Sequence, residues 1–205
     1  MVQFIPDREI GKMYYHASQT EGIKVLEPRI SEHGKPLIYF SKKRENVLVY
    51  LSNAVEKYCR ENGFEYEGKY QKWGPYGFDE DGRLRLEEYY PNALIETYQG
   101  VSAYIYTVDD IRNMETDILI PDVVCSREAV EVSGVERIAD AYEEILKAEK
   151  DGLICLRRFE EMSEKERRWL KKTVREEYEN SYDHPEYRYF LREKFPDLLT
   201  EAEDK

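Results

Sequence analysis

The strongest constraint on the fold is a pair of short β-forming segments near the start of the chain. Aromatic and β-branched residues concentrate at 13–17 and 37–41, and turn-forming residues flank both segments. The first carries His16 near its end, and the second carries Tyr39 and Ser41. Because the two predicted strands are close in sequence, the histidine and the tyrosine are expected to form two walls of a small pocket.

Further strands are predicted from the same residue preferences, with a hairpin turn at the Asp-Glu-Asp-Gly sequence of residues 79–82. The last two of these strands are expected to pair with each other. The predicted strands cover residues 64–72, 84–88, 93–98, 103–108, 123–125 and 129–132.

Helical spacing of apolar residues predicts amphipathic helices over 43–62 and 136–149. Ser163 with Glu166 three residues later is a capping-box pattern, which predicts the start of a charged helix that continues to about Tyr178. A short helical turn is expected over residues 21–28, and another short helix over 187–194.

Strands mixed with one early helix, followed by helices, predict an α+β fold. The expectation is two small, mostly antiparallel sheets that form a cleft, in a domain over residues 1–150. Residues 151–205 are expected to form a helical C-terminal appendage that packs on this domain and covers one end of the cleft.

The chain of 205 residues has a formal net charge of −12, which disfavours general nucleic-acid binding because phosphates are repelled. Residues 42–44, Lys-Lys-Arg, are the best candidate for a local basic patch. Most of the eighteen tyrosines are interpreted as packing residues with solvated hydroxyls, and a ring-stacking groove is the alternative.

The three cysteines, Cys59, Cys125 and Cys155, are widely spaced and form no metal-binding pattern. They are typical of reduced core residues in a cytosolic protein. No signal peptide and no apolar run of membrane-spanning length is evident, so a cytoplasmic protein is expected.

His16 and Tyr39 each allow two interpretations. A lone histidine at a strand end is more often a hydrogen-bonded packing residue, but its two ring nitrogens can also orient a ligand hydroxyl without carrying charge. Ala17 and Ser18 are small, so a ligand can approach the backbone beside them. A tyrosine in a strand usually packs against its neighbours, but at a cleft edge it can stack on a planar ligand.

The order of these motifs resembles the ADP-ribosyltransferase fold, in particular its diphtheria-toxin-like and rifamycin ADP-ribosyltransferase branch. The resemblance covers roughly residues 13–138. Its motifs are Tyr15-His16-Ala17-Ser18, Gly22-Ile23, Leu26-Glu27-Pro28, Ile38-Tyr39-Phe40-Ser41, the strand 103–108 and the stretch 125–132.

The resemblance implies that NAD is the substrate and that ADP-ribose is transferred to an acceptor as nicotinamide leaves. His16 would then bind the adenosine-side ribose and Tyr39 would stack on the nicotinamide, with Ser18 and Ser41 beside them. Arg127 can hold the pyrophosphate through two hydrogen bonds from its guanidinium, and pairing with surface acids is the equal alternative.

The family also carries an acidic residue that stabilises the positive charge developing on the sugar. Glu115 is preferred for this role over Asp117, and both lie in the segment before the last strands. Glu96 and Glu128 are the alternatives. The acceptor is open: a protein, a nucleic acid, a small molecule or water.

Three rival functions stand beside this hypothesis. The domain can be an inactive relative that binds a nucleotide or a protein partner without chemistry. It can be an RNA 2′-phosphotransferase, which shares the fold but depends on basic residues that an acidic chain makes less plausible. It can also be an interaction protein that docks a partner through the charged helices after residue 150.

Overall fold

The computed structural model describes residues 13–30, 36–66, 73, 76–115 and 120–199, which form eleven strands and six α-helices. The strands are β1 (Tyr14–Ser18), β2 (Val25–Leu26), β3 (Arg29–Ile30), β4 (Pro36–Ser41), β5 (Tyr76–Phe78), β6 (Leu84–Glu87), β7 (Ala103–Val108), β8 (Val123–Ser126), β9 (Val130–Glu131), β10 (Gly134–Ile138) and β11 (Ile154–Arg157). The helices are α1 (Ala54–Glu61), α2 (Ala93–Tyr98), α3 (Ala141–Lys150), α4 (Glu164–Asn180), α5 (Pro185–Lys194) and α6 (Pro196–Leu199), with 3₁₀ segments at Arg44–Leu51 and Phe159–Glu161.

The main sheet joins six of these strands in the order β10-β7-β1-β4-β3, and β8 also pairs with β4. All of its pairings are antiparallel. Ser41 is the partner of both Tyr15 on β1 and Val123 on β8, so β1 and β8 lie along opposite edges of β4. This register also fixes which side chains of β1, β4 and β8 share each face of the sheet.

A second sheet has the order β11-β6-β5, in which β11 and β6 run parallel and β5 and β6 form an antiparallel hairpin. The turn of this hairpin lies where the sequence predicted it, and Asp79 accepts hydrogen bonds from the backbone of Asp81 and Arg83. Gly82 in the turn has a φ of 73°, which glycine adopts without strain. β2 and β9 form a separate two-stranded pair.

Three hydrophobic clusters support these sheets. One lies between the main sheet, the 3₁₀ segment Arg44–Leu51, α3 and the second sheet. The opposite face of the main sheet packs on a smaller cluster that includes Phe40 and Tyr106. The third cluster, called here the aromatic cluster, joins α1 to the C-terminal helices and buries Trp73, whose indole nitrogen donates to Tyr187 at 2.8 Å.

The α+β class is therefore confirmed, and so are the strands predicted at 13–17, 37–41, 84–88 and 103–108. The capping box is also present: the Ser163 hydroxyl accepts from the Glu166 backbone, and the Glu166 carboxylate accepts from the Ser163 backbone. Among the described residues, no helix is long and apolar enough to cross a membrane.

Several predicted elements are wrong. Residues 93–98 form helix α2 rather than a strand, because the buried Glu88 carboxylate accepts from the Leu94 backbone at the first turn. The expected helical turn over 21–28 contains β2, which pairs with β9. The strands 123–125 and 129–132 do not pair with each other: β8 lies on β4, and β9 lies on β2.

Two predicted helices also differ in extent. Residues 43–62 divide into the 3₁₀ segment and α1, separated at Ser52, with the Asn53 side chain capping α1. The helix predicted over 136–149 starts at Ala141, because Gly134–Ile138 pair with β7 as a strand. Residues 64–66 adopt no regular structure, and the rest of the strand predicted over 64–72 lies outside the described residues.

The sequence predicts that residues 151–205 form a helical appendage packed on the domain of residues 1–150. In the structure, β11 from this part pairs with β6 from the first part, and α5 packs against α1. Helices α4, α5 and α6 form the remainder of the described C-terminal part.

Candidate functional site

The candidate site is a fork in the main sheet between β1 and β4. These two strands share a single paired position, Tyr15 with Ser41, whereas β1 pairs with β7 at five positions. Beyond Tyr15 the two strands diverge, and β3 pairs with the start of β4 instead. The fork therefore opens between His16 on β1 and Tyr39 on β4, the two residues that the sequence singled out.

His16 bridges the fork. Its Nδ1 lies 2.9 Å from the Tyr39 carbonyl oxygen, and its ring lies 5.9 Å from that of Phe40. A carbonyl can only accept a hydrogen bond, so Nδ1 carries the proton and donates it. In the neutral ring, Nε2 is then left as an acceptor, and the described residues provide no partner for it.

Burial lowers the pKa of His16 below its ordinary value of 6.5. The hydrogen bond to Tyr39 acts in the opposite direction, and the positive charge of Arg29 lowers the pKa further. At neutral pH the ring is therefore uncharged, and it can bind a hydroxyl group without attracting a counter-ion.

The side chains of Tyr39 and His16 lie on opposite faces of the sheet. Side chains alternate along a strand, and Tyr15 and Ser41 share one face because they are paired, so Tyr39 lies on that face and His16 on the other. The backbone hydrogen bond nevertheless joins the two residues across the fork. A ligand that contacts both side chains has to lie along the fork rather than on one face of the sheet.

Two further tyrosines lie on the Tyr39 side. Tyr50, in the 3₁₀ segment, is 46% exposed, and its hydroxyl lies 2.7 Å from that of Tyr76. Burial of the phenol, the hydrogen-bonded Tyr76 and the nearby Tyr39 raise the pKa of Tyr50. The three tyrosines therefore place aromatic rings beside the fork, on which a planar ligand can stack.

Ser18 and Ser41 mark the ends of their strands. Each hydroxyl accepts a hydrogen bond from the backbone two residues later, at Thr20 and Lys43 respectively. Ser41 is buried, whereas Ser18 is half-buried at the open side of the fork. Both serines thus shape the strand ends, and their hydroxyl protons are left to donate.

Glu115 and Arg127 lie on the other side of β8. Glu115 pairs with Cys125 through two backbone hydrogen bonds of 2.9 Å, and Cys125 is in turn the partner of Tyr39. Two strand spacings, about 10 Å, therefore separate the backbones of Glu115 and Tyr39. The Glu115 carboxylate forms an ion pair with Arg127, which is largely exposed, so these two predicted site residues contact each other.

The other candidate acids are placed differently. Asp117 lies outside the described residues. Glu96 forms an ion pair of 2.9 Å with Lys194, and Glu128 accepts a hydrogen bond from the Asn113 side chain. None of the contacts of these described carboxylates reaches His16 or Tyr39.

Sequence reasoning missed three residues that the fold brings to the fork: Arg29, Tyr50 and Tyr76. Tyr50 fits the helical spacing of residues 47–58, so it was assigned to packing. The sequence carries no signal of its exposure, because Tyr50 follows the buried Val47 by one 3₁₀ turn, and residues at that spacing share a face. Arg29 and Tyr76 belong to short strands without a clear sequence pattern.

Comparison of the chain with protein-family models, with curated proteins and with solved structures gave no match.

Proposed function

We propose that the chain binds NAD along the fork between β1 and β4 and transfers ADP-ribose from it. The single observation that carries this proposal is the neutral His16 ring, which bridges the fork to the Tyr39 backbone beside a group of tyrosine rings. Such a site offers a hydroxyl-binding nitrogen and stacking surfaces within one ligand length.

Each part of NAD has a suitable partner in this arrangement. His16 accepts a hydrogen bond from a ribose hydroxyl at Nε2, because Nδ1 is already used by Tyr39. The nicotinamide stacks on Tyr39 and Tyr50, and its carboxamide approaches the backbone of β1 beside the small Ala17. Arg29 supplies a positive charge for the pyrophosphate at the same end of the fork.

In the reaction, the bond between ribose and nicotinamide breaks, and its electron pair leaves with the nicotinamide. Positive charge then develops on the sugar until the acceptor attacks, so a nearby carboxylate lowers the barrier. Glu115 remains the proposed acid, and to act it has to exchange Arg127 for the ribose. Stacking of the leaving ring holds the substrate in the reactive pose.

A second candidate function is nucleotide binding without chemistry. The ion pair between Glu115 and Arg127 favours it, since that carboxylate is engaged about 10 Å from the fork. A protein-interaction module remains the further alternative if no nucleotide binds.

Calorimetric titration of NAD into the purified protein tests the binding step. The parent is expected to bind, and His16→Ala is expected to bind about tenfold more weakly while its circular dichroism spectrum is unchanged, because one hydrogen bond is lost. His184→Ala is the matched control, because this histidine lies at the start of α5. Equal affinity for parent and His16→Ala would place the nucleotide elsewhere.

Release of free nicotinamide tests the chemical step. If Glu115 acts on the ribose, Glu115→Gln retains NAD affinity and loses nicotinamide release at least a hundredfold. NAD binding with no release by the parent would instead support the binding module.

A further inference from the structure

A cavity lies away from the fork, at the ends of the parallel strands β6 and β11 and beside the start of α4. Its volume is about 190 Å³. Tyr89, Met162 and Trp169 supply apolar walls, and Arg157, Arg158 and Glu166 supply charged ones. The ends of neighbouring parallel strands leave a crevice beside the helices that follow them, which is a frequent place for ligands.

The indole of Trp169 is the main apolar surface of this cavity. It is 46% exposed, although the Tyr89 ring packs edge-on against it at 5.4 Å between ring centroids. Tyr89 is held from behind by the buried Trp73 at 6.0 Å. One part of the Trp169 ring is therefore fixed, and another is open to a planar ligand.

Three carboxylates line the cavity, and all are already engaged. Glu87 accepts from the Arg85 side chain at 2.7 Å. Glu88 accepts from the backbone of Leu94 and Phe159, and Glu166 forms a two-bond ion pair with Arg157 at 2.5 and 2.6 Å. Arg158, by contrast, is 3.8 Å from Glu88, and its side chain is 35% exposed. Because a guanidinium has five donors, Arg158 keeps hydrogen-bonding capacity for an anion.

A basic stripe continues from the cavity along α4. Lys165, Trp169 and Lys172 follow each other at i, i+4 and i+7, so they share one exposed face of the helix. Within the described residues Lys165 makes no ion pair, and Lys172 pairs only with Glu176 one turn away, at 3.5 Å. These two lysines beside the exposed indole, together with the partly exposed Arg158, favour an aromatic ligand that carries a negative charge.

We propose that this cavity binds a nucleoside monophosphate group, with its base stacked on Trp169 and its phosphate held by Arg158 and Lys165. The group is either a free nucleotide or the end of a single strand, because both present one base and one phosphate. The site is separate from the fork and does not depend on NAD chemistry there.

Tryptophan fluorescence tests this proposal directly, because Trp169 is exposed and the other tryptophan, Trp73, is buried. We would titrate the full chain with 5′-AMP and, separately, with a ten-nucleotide oligoadenylate, exciting where adenine does not absorb. Saturable quenching by AMP is expected, and Trp169→Phe should abolish it while circular dichroism shows an intact fold. Tighter binding of the oligoadenylate would identify a strand end as the source, and equal or weaker binding a free nucleotide.

Charge variants test the phosphate contact. The variant Lys165→Gln should weaken AMP binding by roughly threefold, as expected for a unit charge several ångströms from the phosphate in water. The control Lys147→Gln/Lys150→Gln removes two exposed lysines from α3 and should leave the affinity unchanged. Adenosine, which lacks the phosphate, should bind more weakly than AMP.

The proposal is overturned if AMP and the oligoadenylate both fail to quench. Saturable quenching that persists in Trp169→Phe would also overturn it, because Trp73 would then report a different site. A hepta-glutamate peptide serves as an anion without a base, and quenching by it equal to that by AMP would show that charge alone is recognised.

Discussion

The His16 imidazole donates through Nδ1 to the Tyr39 carbonyl, and burial keeps the ring uncharged at neutral pH. The proton on Nδ1 thus forms a hydrogen bond within the protein, and the lone pair on Nε2 is the proposed acceptor for a ribose hydroxyl. Protonation would reverse this arrangement, since Nε2 would become a donor beside the positive Arg29.

This arrangement predicts a pH dependence of stability. The folded pKa of His16 is below the ordinary value of 6.5, so the unfolded state binds the proton more tightly. The stabilisation is therefore present above pH 6.5 and is lost as pH falls through the folded pKa. Urea unfolding at pH 7.5 and at acidic pH should show the parent losing stability relative to His16→Gln, and a constant difference would contradict the prediction.

Tyr50 provides a second prediction at this scale. Tyr50→Ala removes a ring beside the fork and should weaken NAD binding about tenfold, at the upper end of what aromatic stacking contributes. Its stability cost should be small, because the ring is half exposed and the Tyr76 hydroxyl can turn to water. Tyr189→Ala, at a similarly exposed position on α5, is the control for the same calorimetric titration.

The sequence predicted His16 and Tyr39 as neighbours because both lie on short, strongly β-forming segments. It did not predict that the strands diverge after one pair, since divergence depends on which other strands compete for each edge. Tyr50 fits the helical spacing of residues 47–58, so the sequence did not mark it as a site residue. The acidic residue of the site could not be chosen, because 43 acidic residues provide many equivalent candidates.

At the scale of secondary-structure elements, the Glu88 side chain links β6 to α2 and to the 3₁₀ segment Phe159–Glu161. Its buried carboxylate follows β6, accepts from Leu94 in the first turn of α2, and accepts from Phe159 before α4. Residues 93–98 include β-branched and aromatic side chains that favour a strand, but this carboxylate satisfies a backbone group that is exposed only at the start of a helix. A long-range contact thus outweighs local preference there.

Glu88→Ala is therefore expected to lower the free energy of unfolding by about 2–4 kcal/mol, because the buried Leu94 donor and the partly buried Phe159 donor lose their acceptor. Glu88→Gln retains one acceptor oxygen and should cost less. Denaturant unfolding of both variants measures the difference. Glu87→Ala, which removes the half-buried neighbouring carboxylate, is the control, and an equal loss in all three variants would show that Glu88 has no special role.

Strand β10 is a second segment in which a long-range pairing outweighs the local sequence pattern. Residues 136–149 have helical spacing, but Val135 and Ile138 belong to a strand that pairs with β7 at five positions. The start of α4 depends only on neighbouring residues, since Ser163 and Glu166 form its capping box, and the sequence pattern predicted that start correctly. Where pairing with a distant strand decides the structure, the segment alone could not reveal it.

At the scale of the whole molecule, the C-terminal part completes both the second sheet and the aromatic cluster. β11 provides the parallel partner of β6, and seven of the fourteen buried members of the cluster follow residue 150. A fragment of residues 1–150 should therefore lose cooperative unfolding. Thermal melting followed by near-ultraviolet circular dichroism checks this, and a sharp transition like that of the full chain would show an independent domain.

The hydrogen bond between Trp73 and Tyr187 spans 114 positions of the chain. A ribosome adds roughly 5–20 residues each second, so Tyr187 is synthesised about 6–23 s after Trp73. For that interval the apolar face of α1 lacks the C-terminal helices that bury it in the folded protein. The aromatic cluster can therefore close only after translation has reached α5.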